Sequence, residues 1–279
     1  MMFVYGDDSS DEKRQRVCAV AVVLGTEERW QQLESQWIAR TRGVPFHARD
    51  CESDQGDYRN ITHQQNKDLY KDLTMMLASS GLGGCTIAID LMAQRDIFPD
   101  SPDISYYKAF VEILELVKTD VCVRLGHKAK FKFDISTENE YNAGLIYKGT
   151  RDDSPEMLEL FASKISFGAA KECPRLQAAD LLAYEGMKIL DNKIGPKQRP
   201  TRKSWETLSA SHQFQTTVYT RAWFEDIQRN MPKLEEMTGI NREMYLNWLG
   251  KRNRQHSISN LVHFTNWKGQ QDRIKGSPR

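Results

Sequence analysis

Four aspartates stand where the surrounding pattern calls for apolar or strand-ending residues. Asp7 follows "FVYG" with Asp8 beside it, Asp90 closes "TIAID", Asp134 closes "FKFD", and Asp180 interrupts the apolar run "LQAADLLAYE". A carboxylate buried in such a helix is costly unless it is paired or binds a cation. Gln177, Asp180, Tyr184 and Lys188 form one turn-to-turn stripe on that helix. Hard divalent cations take oxygen ligands, a few carboxylates with waters completing the shell. Cleavage of a phosphodiester by metal ions needs carboxylates converging from different elements. Asp7, Asp134 and Asp180 could supply such a set for Mg²⁺ or Mn²⁺, with Asp8 and Glu138 in reserve and Asp90 and Glu138 competing with Asp134 for the middle place. Asp7 and Asp8 are strand neighbours and point to opposite faces, so only one can look into a shared site. Taken singly, an aspartate at a strand end is an ordinary turn former. Asp180 is the exception, because its context is helical and apolar.

Other groups suit the same chemistry. His47 in "PFHARD" could contact a scissile phosphate or shuttle a proton, with Asp50 to orient it, or it could be a loop histidine packed beside Phe46. Lys171 lies just before the Asp180 helix and could pair with a phosphate or with the acids. The stretch "NKIGPKQRPTRKSWE" carries Lys193, Lys197, Arg199, Arg202 and Lys203 with no acid before Glu206, which suits a nucleic-acid backbone. Trp205, Trp248, Phe264 and Trp267 follow in sequence and could stack on bases or pack C-terminal helices.

These residues need a scaffold. At 279 residues, 39% of them hydrophobic and 28% charged, the chain can bury one large domain with appendages. The longest apolar run, Val17 to Leu24, is strand length, so no membrane span is expected. The N-terminus lacks the basic flank and apolar core of a leader. Five scattered cysteines without a CxxC pair argue against a disulfide frame or a zinc site and point to the cytoplasm. Residues 251–279 hold seven Lys or Arg against Asp272 alone. The overall charge of +1 therefore leaves the first 250 residues near −5, an acidic body with a basic end suited to an anionic partner.

The pattern predicts a strand over Met2–Gly6, a polar turn over Asp8–Arg16 and a returning strand over Val17–Leu24. A helix follows from Thr26 to about Gly43, then an irregular "VPFHARDCES", then a helix over Thr62–Ser79. "CTIAIDL" reads as a third strand and "MAQRDIFPDSPD" as a loop. Ile104–Val117 reads as a helix and "AKFKFDIS" as a fourth strand whose Phe131, Phe133 and Ile135 alternate with polar residues. Helical segments are expected near Glu138–Tyr147 and Pro155–Ser163, a fifth strand at "KISFGAA", and a helix from Pro174. Two more helices are expected near Thr217–Asn230 and Arg242–Leu249. A hairpin followed by alternating helices and strands implies an α/β fold, a mixed sheet with helices on it.

Together, "VYGDDSS", "FHARD", "FDIS" and "LQAADLLAY" resemble the bacterial and phage family called domain of unknown function 3800. Its members open with Tyr, an apolar residue, Asp, Glu, Ser, Gly, then carry an apolar-His segment, a strand ending in Asp and a Leu-Gln-x-Ala-Asp helix. Here Asp8 replaces the family's Glu and Ser10 its Gly. The resemblance covers about residues 1–190. It implies a ribonuclease H-like core: a mixed five-stranded sheet flanked by helices, built in the order three strands, helix, strand, helix, strand, helix. On that pattern residues 1–191 form the core with a helical insertion over about 26–80, and 192–279 form a basic, partly helical extension. The superfamily implies carboxylates on the first strand, the fourth strand and the last helix, which fall on Asp7, Asp134 and Asp180.

The expected function is a Mg²⁺- or Mn²⁺-dependent nuclease or related phosphoryl-transfer enzyme acting on nucleic acid, with no membrane partner and a homodimer left open. A second reading keeps the fold without catalysis, as a nucleic-acid- or protein-binding scaffold. A third leaves the acids to turns and salt bridges alone.

Overall fold

The apolar run from Val17 to Leu24 dictates the centre of the molecule: a strand buried on both faces cannot alternate. In the computed structural model, which describes residues 1–99, 105–135, 140–152 and 155–238, this run is β2 (Val17–Gly25), and its neighbours are β1 (Met2–Ser10) and β3 (Gly83–Asp90). The sheet has six strands in the order β5-β4-β1-β2-β3-β6, with β4 at Ala129–Asp134, β5 at Ser166–Gly168 and β6 at Phe214–Tyr219. β1, β2 and β3 are antiparallel to one another. β4 runs parallel to β1, β5 parallel to β4, and β6 parallel to β3.

Helices cover both faces. α1 (Glu27–Thr41), α2 (Ala48–Ser53), α3 (His63–Ser79) and α8 (Pro174–Ile194) bury one face with Val17, Ala19, Ala21 and Val23. The other face, with Val20, Val22, Ile87, Phe131 and Phe133, packs against α5 (Ser105–Leu116) and α6 (Glu140–Asp152). α4 (Leu91–Ile97), α7 (Pro155–Leu160), α9 (Lys203–Ala210) and α10 (Arg221–Thr238) complete the chain's described helices. α3 opens with a capping box, Thr62 and Gln65 satisfying each other's backbone N–H groups. α8 opens with proline in its first turn.

The structure corrects four sequence expectations. The sheet has six strands rather than five, because "FQTTVY" forms β6 where a helix was expected to begin. The segment after residue 191 therefore adds a strand to the sheet. β1 does not stop at Gly6 but continues through Asp7 and Asp8 to Ser10. The turn is closed instead by Asp11, whose carboxylate accepts the N–H groups of Gln15, Arg16 and Val17. "LMAQRDI" is helical because Asp90 caps it, accepting from the Ala93 N–H at 2.9 Å. "ARDCES" is a short helix rather than an irregular segment. The expected helix at Arg242–Leu249 and the basic tail lie outside the described residues.

Two glycines allow the close approaches that build the site. A side chain at Gly6 would run into the Phe133 ring beneath it, and one at Gly186 would run into Thr86, so α8 lies directly on β3. α8 packs on β1, β2 and β3 and only grazes β4, whose same face is the more open. On that open face Lys130 is exposed, while Lys132 and Asp134 are half-buried.

Candidate active site

Sheet register brings the first two carboxylates together. Gly6 pairs with Phe133 in the parallel β1–β4 ladder, so Asp7 and Asp134 follow side by side at its end. Alternation puts Asp7 on the face of Phe3 and Tyr5, and Asp134 on the face of Lys130 and Lys132. Those faces coincide, because Tyr5 pairs with Lys132 and Phe3 with Lys130. This is also the face on which α8 lies, and α8 delivers Asp180. Asp7 and Asp180 are buried.

Each carboxylate is oriented by the backbone. Asp7 accepts from the Asp8 N–H at 2.7 Å, Asp134 from the Ala170 N–H at 2.6 Å, and Asp180 from the Ala48 N–H at 2.7 Å. The last bond has a local cause. The first N–H groups of α2 lack helical partners, and the α2 cap, His47, makes no side-chain cap bond, so Asp180 takes the first of them.

The three acids sense one another. Burial pushes the Asp7 carboxyl well above the usual range, and the charges of Asp180, Asp134 and Asp8 push it further. Burial raises Asp180 to about 6, with Asp134 adding to the rise, while His47, the Ala48 N–H and Arg49 hold it back. Burial also raises Asp134, against the backbone bonds from Ala170 and Ile135 and the charge of His47. Mutual repulsion of carboxylates in a low-dielectric setting has this signature.

His47 therefore lies beside the acids, acting on both Asp134 and Asp180. It is largely exposed, with Nδ1 at 3.0 Å from Asp50 Oδ2, so Asp50 orients it. Asp8 points to the opposite face of the sheet, toward α5, where its charge acts on Tyr106. Burial raises the Asp8 carboxyl, Arg14 lowers it and Asp134 raises it. Lys171 is exposed in the turn directly after Ala170, at the rim of the site. Asp90 is the α4 cap described above. Glu138 lies outside the described residues.

The basic loop divides. Lys193, Lys197, Arg199 and Lys203 are exposed, and Lys193 lies about 20 Å along α8 from Asp180 at 1.5 Å per residue. Arg202 does not join them as a phosphate contact. Its guanidinium turns inward onto Glu185, which is 0% exposed, and onto Glu52 of α2. It also lies over the rings of Tyr70 and Tyr184. A buried glutamate demands such a partner, and Arg202 meets that demand. Trp205 is buried against the α3 and α8 layer, which removes it as a base-stacking platform. Trp248, Phe264 and Trp267 lie outside the described residues.

Two residues beyond those expected shape the site. Gln177, one turn before Asp180, accepts from Trp37 Nε1 and from the Phe46 N–H, each at 3.0 Å, and donates to the Ala170 carbonyl at 3.1 Å. One side chain thus fixes α1, the strand of chain leading to His47, and the turn that holds Asp134. Arg49 reaches the Ser10 carbonyl and acts on Asp180. Both stand inside the quoted motifs "LQAAD" and "FHARD". The motif types were visible, but the partners that give them their roles are distant in sequence.

Among the described residues, no three or more His, Cys, Asp or Glu side chains form a ready cage for a metal ion. The donor set still suits Mg²⁺ or Mn²⁺. Mg²⁺ is usually held by one or two carboxylates, with waters and substrate phosphates completing its shell. A carboxylate that accepts one backbone N–H keeps lone pairs for an ion. No protein-family profile matches the chain, and no curated protein is significantly similar to it. Among the described residues, no helix is long and apolar enough to cross a membrane.

Proposed function

We propose that this chain is a divalent-metal-dependent phosphodiester hydrolase, or a related phosphoryl-transfer enzyme, built on a ribonuclease H-like core and acting on nucleic acid. One observation carries the reading: Asp7 of β1, Asp134 of β4 and Asp180 of α8, far apart in sequence, lie on one sheet face closely enough that Asp180 and Asp134 raise the proton affinity of Asp7, and Asp134 that of Asp180. The element order supports it. With the helices between β2 and β3 set aside as an insertion, the chain through α8 runs three strands, helices, strand, helices, strand, helix, the order implied by the resemblance to domain of unknown function 3800.

Asp7, Asp134 and Asp180 would hold the metal, and bound there it would supply Lewis acidity toward the phosphodiester and lower the pKa of an attacking water. The protein's own part is positional. Backbone N–H groups aim the three carboxylates, Gln177 fixes two of the segments that carry those N–H groups, and the β1–β4 ladder sets the spacing of Asp7 and Asp134. His47, oriented by Asp50, is placed to donate a proton to a leaving oxygen or to take one from a water. The exposed Lys193, Lys197, Arg199 and Lys203, with Lys171 at the rim, would attract the nucleic-acid backbone.

Cleavage of labelled single- and double-stranded DNA and RNA with Mn²⁺ tests the reading. Asp180→Asn should lose at least about a hundredfold in rate. Equal activity in the two proteins would sink the assignment.

A further inference from the structure

The open face of β4 carries a cation whose placement the acidic site does not explain. Lys132 is two residues before Asp134 and shares its face. It pairs with Tyr5 on one side and with Ser166 on the other. Its side chain reaches across to Gly168 of β5, level with Asp134. A Cβ at Gly168 would stand 2.6 Å from Lys132 Cε and 3.0 Å from Nζ. Gly168 is the residue opposite Asp134 in the β4–β5 ladder. The ammonium therefore lies over the backbone next to Asp134, in space that exists because residue 168 has no side chain.

Lys132 is not consumed by the acids. The groups that hold Asp134 down are the Ala170 and Ile135 N–H groups and His47. Among the described residues, the ion pairs of the site's neighbourhood involve His47, Arg16, Arg175 and Arg202, and none involves Lys132. A lysine that is half-buried on the same face as Asp134 and paired with none of the three carboxylates offers a compact point charge to an anion. Lys130 is on the same face but exposed, and its charge acts on Glu27, so it does not offer the same placement.

We propose that Lys132, seated over Gly168, binds a phosphate of the nucleic-acid strand next to the one being cleaved, and so sets the register of the strand over Asp7, Asp134 and Asp180. This rests on the nuclease reading and adds to it the residue that receives the flanking phosphate. The arrangement also counters the site's own charge, since an acidic cluster repels a polyanion unless a cation stands beside it.

The test measures binding of a labelled single-stranded oligonucleotide in Ca²⁺ at several salt concentrations, and steady-state cleavage in Mn²⁺. The proteins are wild type, Lys132→Met, Lys132→Arg, Gly168→Ala and Asp180→Asn. Losing one phosphate contact on a single strand should make the plot of log affinity against log salt shallower by about 0.7, an affinity loss of about fivefold near roughly 0.1 M salt. Lys132→Met should show this shift with a raised KM and little change in kcat, and Lys132→Arg should recover much of it. Gly168→Ala, whose methyl displaces the lysine stem, should raise KM in the same direction, while Asp180→Asn keeps the wild-type salt slope and loses cleavage. An unchanged slope and KM in Lys132→Met, with wild type binding and cleaving, overturns this inference and leaves the nuclease reading standing. If wild type binds but never cleaves, and Lys132→Met still shows the shallower slope, the phosphate site stands and the catalytic reading falls. If wild type does not bind, both fall.

Discussion

Asp180 holds its place against a cost. It is 5% exposed, within a helix whose other buried positions are mostly apolar, and its carboxyl is raised to about 6, chiefly by burial. A raised carboxyl pKa means that the folded state binds protons the unfolded state has released. Between the ordinary carboxylate range and about 6 for Asp180, stability therefore falls as pH rises. Above that window the penalty is complete. Asp180→Asn keeps an oxygen to accept the Ala48 N–H and removes the charge. In metal-free buffer the variant should melt above wild type at neutral pH, and the difference should shrink as pH is lowered through the window. Thermal melts of both proteins across mildly acidic to neutral pH check this, and parallel curves would show that Asp180 is not held ionised at a cost. Gln177 offers a second check. Gln177→Ala leaves the N–H groups of Trp37 and Phe46 without their acceptor, a loss of about 2–6 kcal/mol by denaturant unfolding at roughly 1–3 kcal/mol per buried unpaired donor. It should also lower activity, because the same side chain fixes the turn that holds Asp134. Asp180 was legible in the sequence because a carboxylate in an apolar helix is anomalous on local grounds. Arg202 was not. It stands among four exposed cations and looks like them, and its true partners, Glu52 and Glu185, are brought to it by the fold.

At the scale of elements, α2 is the piece most dependent on its neighbours. Six residues cannot hold a helix alone, and α2 is held at one end by Asp180 on the Ala48 N–H and at the other by Glu52, which accepts from Arg202 and Tyr184. Burial pushes the Glu52 carboxyl up, but Arg202, the Tyr184 hydroxyl and Lys188 outweigh it and leave the carboxyl lowered. Arg202→Ala strands Glu185 without its guanidinium. It should cost about 3–5 kcal/mol of folding stability, as removal of one partner from a buried ion pair does, and should reduce activity by loosening the segment that bears His47. Urea unfolding measures the first, and a loss under about 1 kcal/mol would mean that water or Tyr70 already satisfies Glu185. The sequence showed the elements with strong periodicity or clear starts: α3 from the spacing of Leu69, Leu73, Met76 and Leu77, α5 from its apolar stripe, α8 from its opening proline. It hid three kinds. β6 is six residues, "FQTTVY", with no clean apolar alternation, and it runs almost directly into the following helix. α4 is short, and its one local signal is the Asp90-to-Ala93 cap. The last four residues of β1 are all polar, so they look like a turn.

At the scale of the whole molecule, the sheet concentrates acid at one end of β1 and β4, and the described fold offers no side chain that neutralises all three carboxylates. Protons or a divalent cation must do so. At neutral pH, Mn²⁺ or Mg²⁺ should therefore raise the melting temperature of wild type, and the increment should diminish at mildly acidic pH, where protons take the same place. The increment should be absent in Asp180→Asn. Layer class, strand count through β5 and the face on which Asp7 lies could all be argued from sequence. The convergence itself could not, since it depends on β4 pairing beside β1 and on α8 crossing that pair. The central claim is that Asp7, Asp134 and Asp180 form one metal-dependent centre. Its most direct test is titration of Mn²⁺ into wild type, Asp7→Asn, Asp134→Asn and Asp180→Asn, followed by calorimetry or by the paramagnetic signal of the free ion. The account expects saturable binding to wild type and at least about tenfold weaker binding in each of the three variants. Equal binding in all four proteins would contradict it.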